Sequence, residues 1–490
     1  MEKFFLKSSI AGLMLFPAMG SQAGNNRTDN TESAPNILFF LVDDMGWMDI
    51  GANGSEFYET PNIDRLAQEG VRFERAYAGA PVSSPTRASI LTGQAPARVG
   101  ITQFIGTGFT DPDYVRNLPH ENICFPELLK EQGYTNIYLG KWHLNDKNHE
   151  KECWPEAHGF DINLAGHWRG GLYIPNKYHS PWNFPNLENG PKGEYITHRL
   201  TQEALNFIDT IGSRPFLLYF SFYNVHAPQD APMDLIQKYK AKAQKLNLTE
   251  EERTGYETIR GREVKYRKRQ DHPVYAAQVE SVDIAVGKVL EELKAKGLDK
   301  NTVVIFASDN GGLSTAEGNP TSNCPLRMGK GWIYEGGLRV PTIIRWPGVA
   351  RPGYVVSTSI TSMDFYPTIL DAAGIKTPAN YILDGKSLRP LLEGKNKGIH
   401  DDIFFHYPYI SNNQKGRPAS AVIRGDYKMI VYLEDGKKEL YNLKKDIGET
   451  RNLYQDNKLT ASMFKSLENW WKEVGARFPK KSVFNALNPD

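Results

Sequence analysis

Polar side chains directly follow two of the most hydrophobic runs in the chain. Asp43 and Asp44 come after the run ILFFLV, and Asp309 and Asn310 come after VVIFAS. Open α/β sheets bind ligands beyond the carboxyl ends of their strands, so both segments could meet at one sheet edge. Carboxylate and amide oxygens suit calcium or magnesium, whereas a soft-metal site would need thiolates. Either pair alone would be typical of a turn, but together these four residues are predicted metal ligands.

A second polar segment, Ser83-Ser84-Pro85-Thr86-Arg87, leads into a helical pattern. Because proline favours the first helical position, the segment predicts a helix that begins at Pro85. Such a helix start would direct free backbone N–H groups and the positive end of the dipole at an anion beside Ser83. Arg87, one turn further on, could reach the same place. In isolation, the pattern is also typical of an ordinary Ser-capped helix with a surface arginine.

These residues need a sheet to position them, and apolar runs alternate with helical patterns along the chain. The runs lack polar alternation, which indicates a mostly parallel sheet covered by helices on both faces. A helix is expected over residues 275–296, ending at Gly297. The charge-dense stretch 238–270 is expected to be an exposed insertion. The predicted strands are Ile37 to Val42, Asn136 to Leu139, Phe216 to Phe222 and Val303 to Ser308.

The 490 residues exceed what one hydrophobic core usually organises, so two domains are expected. From about residue 403, short strands and turns replace the α/β pattern, with a hairpin turn at residues 434–436 and a helix around residues 461–474. We expect an α/β domain over residues 34–398. A small antiparallel sheet with one helix, over residues 399–490, would complete the substrate pocket.

Composition and charge indicate a soluble globular protein. With 40% hydrophobic and 23% charged residues and a net charge of +1, the chain shows no basic stripe, so no nucleic acid partner is expected. Residues 1–23 combine lysines, an apolar run and small residues, which is typical of a cleavable secretory signal. No later run approaches the roughly 20 apolar residues of a membrane span, so the mature protein is expected to be periplasmic or secreted. Three cysteines permit at most one disulfide and are expected to be buried hydrophobic residues: Cys124, Cys153 and Cys324.

One signature in the chain is highly specific. Ser83-x-Pro85-x-Arg87, followed by four residues and Thr92-Gly93, resembles the signature of the type I, formylglycine-dependent sulfatases of the alkaline phosphatase superfamily. The resemblance covers nearly the whole chain after the signal, in family order, and implies an alkaline-phosphatase-like fold. Further stretches similar to the family are Gly140 to His143, Val225 to Pro228, Ser308 to Gly312, Gly329 to Gly337, Gly425 to Lys428 and Glu439 to Leu443.

Ser83 occupies the position at which this family carries a cysteine or serine nucleophile. The resemblance implies that a separate serine-type maturation enzyme oxidises Ser83 to formylglycine before export. The hydrated aldehyde would attack sulfur with one hydroxyl, and the second hydroxyl would expel sulfate from the covalent intermediate. An unmodified Ser83 attacking in the same way would leave a stable sulfate ester.

The resemblance also implies roles for the residues around Ser83. Lys141 and Lys330 would bind sulfate oxygens, and Arg87 would support the formylglycine hydrate. His143 would direct proton loss from the hydrate, and His226 would protonate the leaving oxygen. One divalent cation, Ca²⁺ or alternatively Mg²⁺, would be held by Asp43, Asp44, Asp309, Asn310 and the modified Ser83.

Substrate specificity should come from loops outside this shared centre. Residues 159–171 and 173–182 are rich in Trp, His, Arg and Tyr, which stack on sugar rings or pair with sulfates. Relatives with similar signals often act on glycosaminoglycans, mucins or algal polysaccharides, so a sulfated sugar is expected, more narrowly a galactose or N-acetylgalactosamine sulfate. Candidate sugar-binding residues, for which a packing or surface role is also open, are His167, Trp168, Arg169, His179, His406 and Asn412.

Two other functions remain open. A phosphomonoester or phosphonate hydrolase on the same scaffold would need ligands for a second metal that are not evident, whereas Lys141 and Lys330 suit a single-metal sulfate site. A non-catalytic binder of sulfated glycans would carry an unmodified Ser83. Turnover of a sulfate ester against its phosphate analogue tests the first alternative, and the mass of the Ser83 peptide tests the second.

Overall fold

The computed structural model describes residues 34–106, 115–149, 151–173, 178–395, 397–411 and 413–479. The expected signal over residues 1–23 and the candidate sugar ligand Asn412 lie outside these residues. Among the described helices, none combines the length and hydrophobicity that crossing a membrane requires.

Strands and helices alternate through most of the chain. The strands are β1 (Asn36–Val42), β2 (Val71–Phe73), β3 (Ala76–Tyr77), β4 (Thr135–Gly140), β5 (Ile162–Leu164), β6 (Phe216–Ser221), β7 (Thr254–Ile259), β8 (Arg262–Arg267), β9 (Thr302–Ser308), β10 (Thr342–Arg345), β11 (Tyr354–Val356), β12 (Ile360–Thr361), β13 (Ile403–Tyr407), β14 (Ala419–Arg424), β15 (Tyr427–Tyr432) and β16 (Lys438–Asn442). The helices are α1 (Pro61–Glu69), α2 (Ser83–Thr92), α3 (Pro96–Val99), α4 (Phe125–Glu131), α5 (Ile196–Thr210), α6 (Met233–Leu246), α7 (Glu250–Arg253), α8 (Pro273–Ala295), α9 (Glu335–Leu338), α10 (Phe365–Ala373), α11 (Arg389–Leu392) and α12 (Lys458–Glu473).

The main sheet has eight strands in the order β11-β2-β10-β9-β1-β6-β4-β5. The run from β9 to β5 is parallel throughout, and β10 is antiparallel to both of its neighbours. The four strands predicted from continuous apolar runs are β1, β4, β6 and β9, all within this parallel run. The predicted mostly parallel sheet is therefore confirmed.

Helices cover both faces of the sheet, as β1 illustrates. Leu38 and Phe40 join the apolar cluster beneath α1, α5, α6 and α8. Ile37 and Phe39 face the opposite cluster, which includes residues of α2, α4 and α10. Because successive strand residues point to opposite faces, burial on both sides requires an apolar residue at every position. This explains why the strand sequences lack polar alternation.

The stretch 238–270 is largely exposed, as predicted, and it also forms regular secondary structure. It contains most of α6 and a hairpin formed by β7 and β8. Ile259 and Val264 of the hairpin are buried in an apolar cluster with the C-terminal sheet. The long helix α8 agrees with its prediction, and Gly297 follows it with φ 69°, a backbone conformation that glycine adopts without strain.

A second sheet, with the order β13-β14-β15-β16, is antiparallel and lies near the C-terminus. One face packs on the loop before α9, including Trp332 and Tyr334. The other face packs on α12 through side chains such as Met429 and Met463. Both the predicted hairpin between β15 and β16 and the final helix are present. The three cysteines form no disulfide. Cys124 and Cys153 are buried, and Cys324 is half-buried.

Candidate active site

The predicted oxygen ligands meet at the carboxyl edge of the main sheet. Val42 and Ser308 are register partners at the ends of β1 and β9, so the residues that follow emerge side by side. The backbone N–H of Asp44 donates to Asp309 Oδ1 at 3.1 Å, and Asn310 Nδ2 donates to Asp44 Oδ1 at 2.8 Å. All of these side chains, and that of Asp43, are buried. Asp44 has φ 63°, a conformation that nonglycine residues rarely adopt and that is common at functional sites.

Helix α2 brings Ser83 to this edge. The helix begins at Ser83 and not at the predicted Pro85, which is its third residue. Proline is accommodated there because backbone N–H groups of the first turn have no partner within the helix. Ser83 Oγ lies 3.4 Å from Asp43 Oδ1 and 3.5 Å from Asn310 Oδ1. Every residue of α2 is buried, which argues against an ordinary surface helix.

Arg87 lies beneath the site and connects three segments. Its guanidinium is 2.7 Å from Asp309 Oδ2 and 3.7 Å from Asp43 Oδ1. It also donates to the Lys141 carbonyl at 2.9 Å and to Ser221 Oγ at 2.6 Å. The planar, five-donor guanidinium suits this multiple binding better than an ammonium group would. Arg87 therefore fixes the carboxylates and strand ends against the helix that carries Ser83.

Lys141 enters the site from the end of β4. Its Nζ lies 2.7 Å from Asp43 Oδ2 and 3.4 Å from Ser83 Oγ. The preceding Gly140 has φ 95°, and a Cβ there would come within 1.9 Å of the Ser221 carbonyl. The turn that directs Lys141 inward thus requires glycine.

Lys330 approaches from the opposite side, on the loop before α9. Its Nζ lies 2.7 Å from Asp44 Oδ2. The loop is held close to the segment after β9: a Cβ on Gly311 would come within 1.8 Å of the Gly336 carbonyl. The glycine-rich sequence in these two segments therefore allows backbone to pack on backbone beside the site.

Two buried histidines border Ser83 and Lys330 in the same cavity. His143 Nε2 lies 2.7 Å from the Ile105 carbonyl, and its Nδ1 has no hydrogen-bond partner among the described residues. The carbonyl can only accept a hydrogen bond, so Nε2 carries the proton and Nδ1 of the neutral ring presents a free lone pair. His226 Nδ1 lies 2.6 Å from the Ala227 carbonyl, and its Nε2 lies 3.7 Å from Asp44 Oδ2. Burial, and then nearby lysine charges, lower the pKa of both rings well below the ordinary value.

The charges of three carboxylates and three cationic side chains balance in the centre of the site. Burial raises the pKa of Asp43, with Lys141 opposing the rise. Burial also acts on Asp44, but the charge of Lys330 and its hydrogen bond to Asp44 hold the pKa of this carboxyl below the usual value. Lys141 has a pKa lowered by burial. The six charged groups are Asp43, Asp44, Asp309, Arg87, Lys141 and Lys330.

The site opens into a cavity of about 530 Å³, within the usual range for small-molecule sites. Ser83, His143, His226 and Lys330 line it. Other lining residues come from several loops: Gln103, Phe104, Ile105, Asp146, Lys147, Trp168, Tyr173, Glu317, Ile410, Ser411, Asn413 and Gln414. The cavity thus has Ser83, Lys330 and both histidines at its base, next to the buried oxygen ligands, and three aromatic rings, those of Phe104, Trp168 and Tyr173, along its wall.

Comparison with known proteins identifies the family. Residues 35–375 match the family described as Sulfatase, which is more than half of the chain. This chain belongs to the sulfatase family. Residues 327–475 also match the family described as N-sulphoglucosamine sulphohydrolase, C-terminal.

Whole-chain relatives agree with this assignment. The sulfatase is 35% identical to N-acetylgalactosamine-6-sulfatase of Mus musculus over 422 residues, covering 80% of this chain and 71% of the relative. It is 31% identical to a sulfatase of Formosa agariphila, covering 93% and 90%. The chain is therefore a sulfuric ester hydrolase. Its fold matches the crystal structure of Ps i-CgsB in complex with k-i-k-neocarrahexaose with a TM-score of 0.74, 29% identity and coverage of 93% and 97%. The large sheet with helices on both faces is the alkaline-phosphatase-like sulfatase fold, with a C-terminal antiparallel sheet.

Of the described sugar-binding candidates in this sulfatase, one lines the cavity and the others do not. Trp168 lines the cavity, whereas Arg169 donates to the Trp182 carbonyl at 3.2 Å and does not line it. His167 is buried against Trp168 and Phe184.

The remaining two described candidates lie outside the cavity lining. His179 Nδ1 lies 3.0 Å from Asp230 Oδ2. His406 is buried on β13 between Ser420 Oγ and the Arg477 carbonyl, each at 2.8 Å. His406 therefore packs within the C-terminal domain and does not bind sugar. Side chains alternate along a strand, so His406 points away from the cavity while its neighbour Tyr407 contacts Gln103.

Several cavity residues were not predicted from the sequence. Gln103 and Phe104 follow α3, and Ser411 and Gln414 belong to the loop after β13. Their sequence signal is position alone. Residues 103–105 lie shortly after the sulfatase signature, and residues 410–414, which include the candidate Asn412, lie in the region where short strands and turns were predicted. Neither stretch contains a motif, so the fold was needed to find them.

Proposed function

We propose that this sulfatase hydrolyses sulfate monoesters of a carbohydrate, through a formylglycine made from Ser83, with release of inorganic sulfate. The observation that carries the proposal is the position of Ser83 Oγ on the cavity floor, 3.4 Å from both Asp43 Oδ1 and Lys141 Nζ. Our narrower proposal is a galactose or N-acetylgalactosamine sulfate, supported by the similarity to N-acetylgalactosamine-6-sulfatase and to a structure that holds a neocarrahexaose.

The ligand set fits a hard divalent cation, which we propose to be Ca²⁺, with Mg²⁺ as the alternative. Asp43, Asp44, Asp309 and the Asn310 amide oxygen would hold it, together with the modified Ser83. Three cations balance the three buried carboxylates, so a bound divalent ion would give the site a positive excess that attracts an anionic sulfate ester. When bound, the ion would supply Lewis-acid polarisation of the sulfate and the nucleophile.

The cationic side chains bind and orient the ester in this proposal. Lys141 and Lys330 lie on two sides of the oxygen ligands, and their ammonium groups would donate to sulfate oxygens. Arg87 binds Asp309, the Lys141 carbonyl and Ser221, so it would act by fixing these groups and by its charge near Asp43.

The two histidines supply opposite proton transfers. The free Nδ1 of His143 would accept the proton of the attacking hydroxyl, and the Ile105 carbonyl would hold the proton on Nε2. His226 would donate from Nε2 to the leaving oxygen. Burial and the charge of Lys330 lower its pKa, and the charge of a bound sulfate ester next to Asp44 would favour its protonated form.

Maturation and export are further parts of the proposal. Ser83 is 2% exposed at the base of the cavity and forms the first turn of a buried helix. A serine-type maturation enzyme would therefore act on the chain before it folds and before export. Residues 1–23 would direct the chain to the periplasm or the medium, where a soluble polysaccharide-degrading enzyme meets its substrate.

A substrate panel tests the activity. Protein co-expressed with a serine-type maturation enzyme should release sulfate from the 4- or 6-sulfate of galactose or N-acetylgalactosamine, and Ser83→Ala should abolish release. Turnover of aryl sulfates without any sugar sulfate would refute the carbohydrate proposal. Strong hydrolysis of a phosphate monoester with negligible sulfate release would instead favour the phosphatase chemistry.

Mass spectrometry tests the nucleophile separately. The tryptic peptide that contains Ser83 should lose two hydrogens in the matured protein, since serine is oxidised to the aldehyde. A peptide with unmodified serine in a protein that still turns over sulfate esters would contradict the proposed mechanism. Unmodified serine without turnover would favour a glycan-binding role.

A further inference from the structure

Gln103 is a cavity residue with one half of its amide engaged. It follows α3, is 1% exposed and lines the cavity together with Ser83. Its Oε1 accepts two hydrogen bonds, from the Phe104 backbone N–H at 2.9 Å and from the Tyr407 hydroxyl at 3.2 Å. Tyr407 is the last residue of β13 in the C-terminal sheet.

These two donors fix the orientation of the amide. A backbone N–H can only donate, so the atom that faces Phe104 must be the amide oxygen, and the nitrogen must lie on the other side. Nε2 is buried and has no hydrogen-bond partner among the described residues. Buried polar groups are almost always hydrogen-bonded, so an unpaired amide donor on a residue that lines the cavity is available to a ligand group that reaches this wall.

The segment that carries Gln103 is rigidly tied to the reacting centre. The Ile105 N–H donates to Ser84 Oγ at 2.9 Å, next to Ser83 on α2. The Ile105 carbonyl lies 2.7 Å from His143 Nε2. A ligand group bound by Gln103 would therefore be held at a fixed position relative to the nucleophile, as precise substrate orientation requires.

The charges around the cavity indicate which kind of ligand group Gln103 would bind. The cationic floor, formed by Lys141 and Lys330 with Arg87 beneath, already provides for the sulfate. A neutral amide N–H suits a neutral oxygen: a hydroxyl, a ring oxygen or an acetamido carbonyl. Trp168 and Tyr173 line the same cavity, and aromatic rings of this kind pack on the apolar faces of sugars.

We infer that Gln103 is a specificity-determining residue, whose Nε2 donates a hydrogen bond to a neutral oxygen of the sugar that carries the sulfate. The inference rests on the proposed carbohydrate substrate. Tyr407 acts as a positioning residue, because its hydroxyl keeps Oε1 away from the ligand. The C-terminal sheet thereby contributes to recognition without touching the sulfate.

Binding to an inactive protein tests the inference without turnover. In a Ser83→Ala background with Ca²⁺ present, calorimetry would compare N-acetylgalactosamine 6-sulfate, galactose 6-sulfate and inorganic sulfate. Gln103→Met should weaken the better-bound sugar sulfate about 10-fold and change inorganic sulfate affinity less than about 2-fold, because only the sugar offers the neutral oxygen. Equal weakening of both, or no change in either, would overturn the inference. So would sugar sulfates that bind no more tightly than inorganic sulfate.

A matched control separates recognition from packing. Gln94 is also a buried glutamine, but both of its amide atoms are bonded within the protein, to the Ile382 carbonyl and to Asn122 Nδ2. Gln94→Met should leave both affinities unchanged even where it lowers stability. Tyr407→Phe, which keeps Gln103 but removes one of its two donors, should weaken sugar sulfate binding by a smaller factor.

Kinetics distinguish a failed inference from a failed function. In matured protein, Gln103→Met should lower kcat/KM for the sugar sulfate about 10-fold and change that for 4-nitrophenyl sulfate little. An unchanged ratio of the two values would overturn the inference although sulfatase activity is present. Absence of any turnover, with Gln103-dependent sugar binding retained in the Ser83→Ala protein, would count against the proposed function alone.

Discussion

Lys330 Nζ lies 2.7 Å from Asp44 Oδ2, although the two residues are 286 positions apart in the chain. Burial opposes the charge on Lys330, but Asp44 and Asp43 raise its pKa above the ordinary value, so the ammonium stays charged. Asp44 is thus both a candidate metal ligand and the group that orients the ammonium proposed to bind sulfate. This shared carboxylate couples the two halves of the anion site.

Lys330→Ala should lower kcat/KM by about 10²-fold, because it removes a preorganised cation that faces the developing charge. Initial rates with a sugar sulfate would measure the effect. Lys242→Ala, at a surface ion pair with Glu59, is the control and should change the rate little. A Lys330→Ala enzyme as fast as the control would show that this cation does not bind the ester.

Arg87→Lys should also lower kcat by about 10²-fold, since an ammonium cannot bind Asp309, the Lys141 carbonyl and Ser221 at once. The same change should decrease the free energy of unfolding by about 2 kcal/mol, because buried acceptors lose their donor. Urea unfolding and steady-state kinetics measure the two effects. The conservative Arg389→Lys, at an exposed arginine, should alter neither.

Removal of divalent ions should abolish sulfate release and lower the melting temperature, because the reaction would lose its Lewis acid and the folded state would lose an ion that binds it and not the unfolded chain. Calcium should restore both properties at lower concentration than magnesium, since several protein oxygens suit the larger ion. Differential scanning calorimetry of chelator-treated protein measures this. Full activity in protein that elemental analysis finds metal-free would refute the ion's role.

Lys428→Met should destabilise the protein by about 3–5 kcal/mol, because a buried ion pair that loses one partner leaves uncompensated charge. Lys428 Nζ lies 3.1 Å from Glu335 and 2.9 Å from Glu449, and all three side chains are fully buried. Chemical unfolding measures the loss. Lys437→Met, on the exposed β15–β16 turn, should change the free energy of unfolding little. Equal losses of unfolding free energy in the two variants would contradict this account.

Stability should also depend on pH through Glu449. Burial, with the charge of Glu335, raises its pKa to about 7 from the ordinary 4.5, although Lys428 opposes the shift. The folded state therefore binds this proton more tightly than the unfolded state, and stability from this residue falls as pH rises from about 4.5 to about 7. Glu449→Gln should flatten the unfolding free energy in this window. An unchanged slope would show that another group is responsible.

The fold was predictable from the sequence where one physical rule dominates. Strands β1 and β9 are buried on both faces, so continuous apolar runs revealed them, and the polar residues at their ends were expected to bind a ligand. Asp43 and Asp309 were found in this way. The parallel register that brings them together follows from the helices between the strands.

Other features depend on contacts that no local pattern encodes. Helix α2 begins at Ser83 because its first turn is buried against the sheet edge, whereas proline statistics place the start at Pro85. His406 looked suited to sugar binding, but its partners are Ser420 and a C-terminal carbonyl. Gln103 belongs to no sequence motif. Its role depends on Tyr407, which lies 304 positions later in the chain and binds its amide oxygen in the folded protein, while the amide nitrogen stays unpaired.

The bond between Tyr407 and Gln103 has a consequence for protein engineering. If Gln103 sets specificity as proposed, grafting the C-terminal sheet of this protein alone should transfer specificity incompletely, because its tyrosine orients a glutamine some 300 positions earlier in the chain. Grafts that also transfer residues 103–105 would keep the pairing intact. Evolution of new sugar preferences in this scaffold is thus expected to proceed by coordinated replacement of two remote segments.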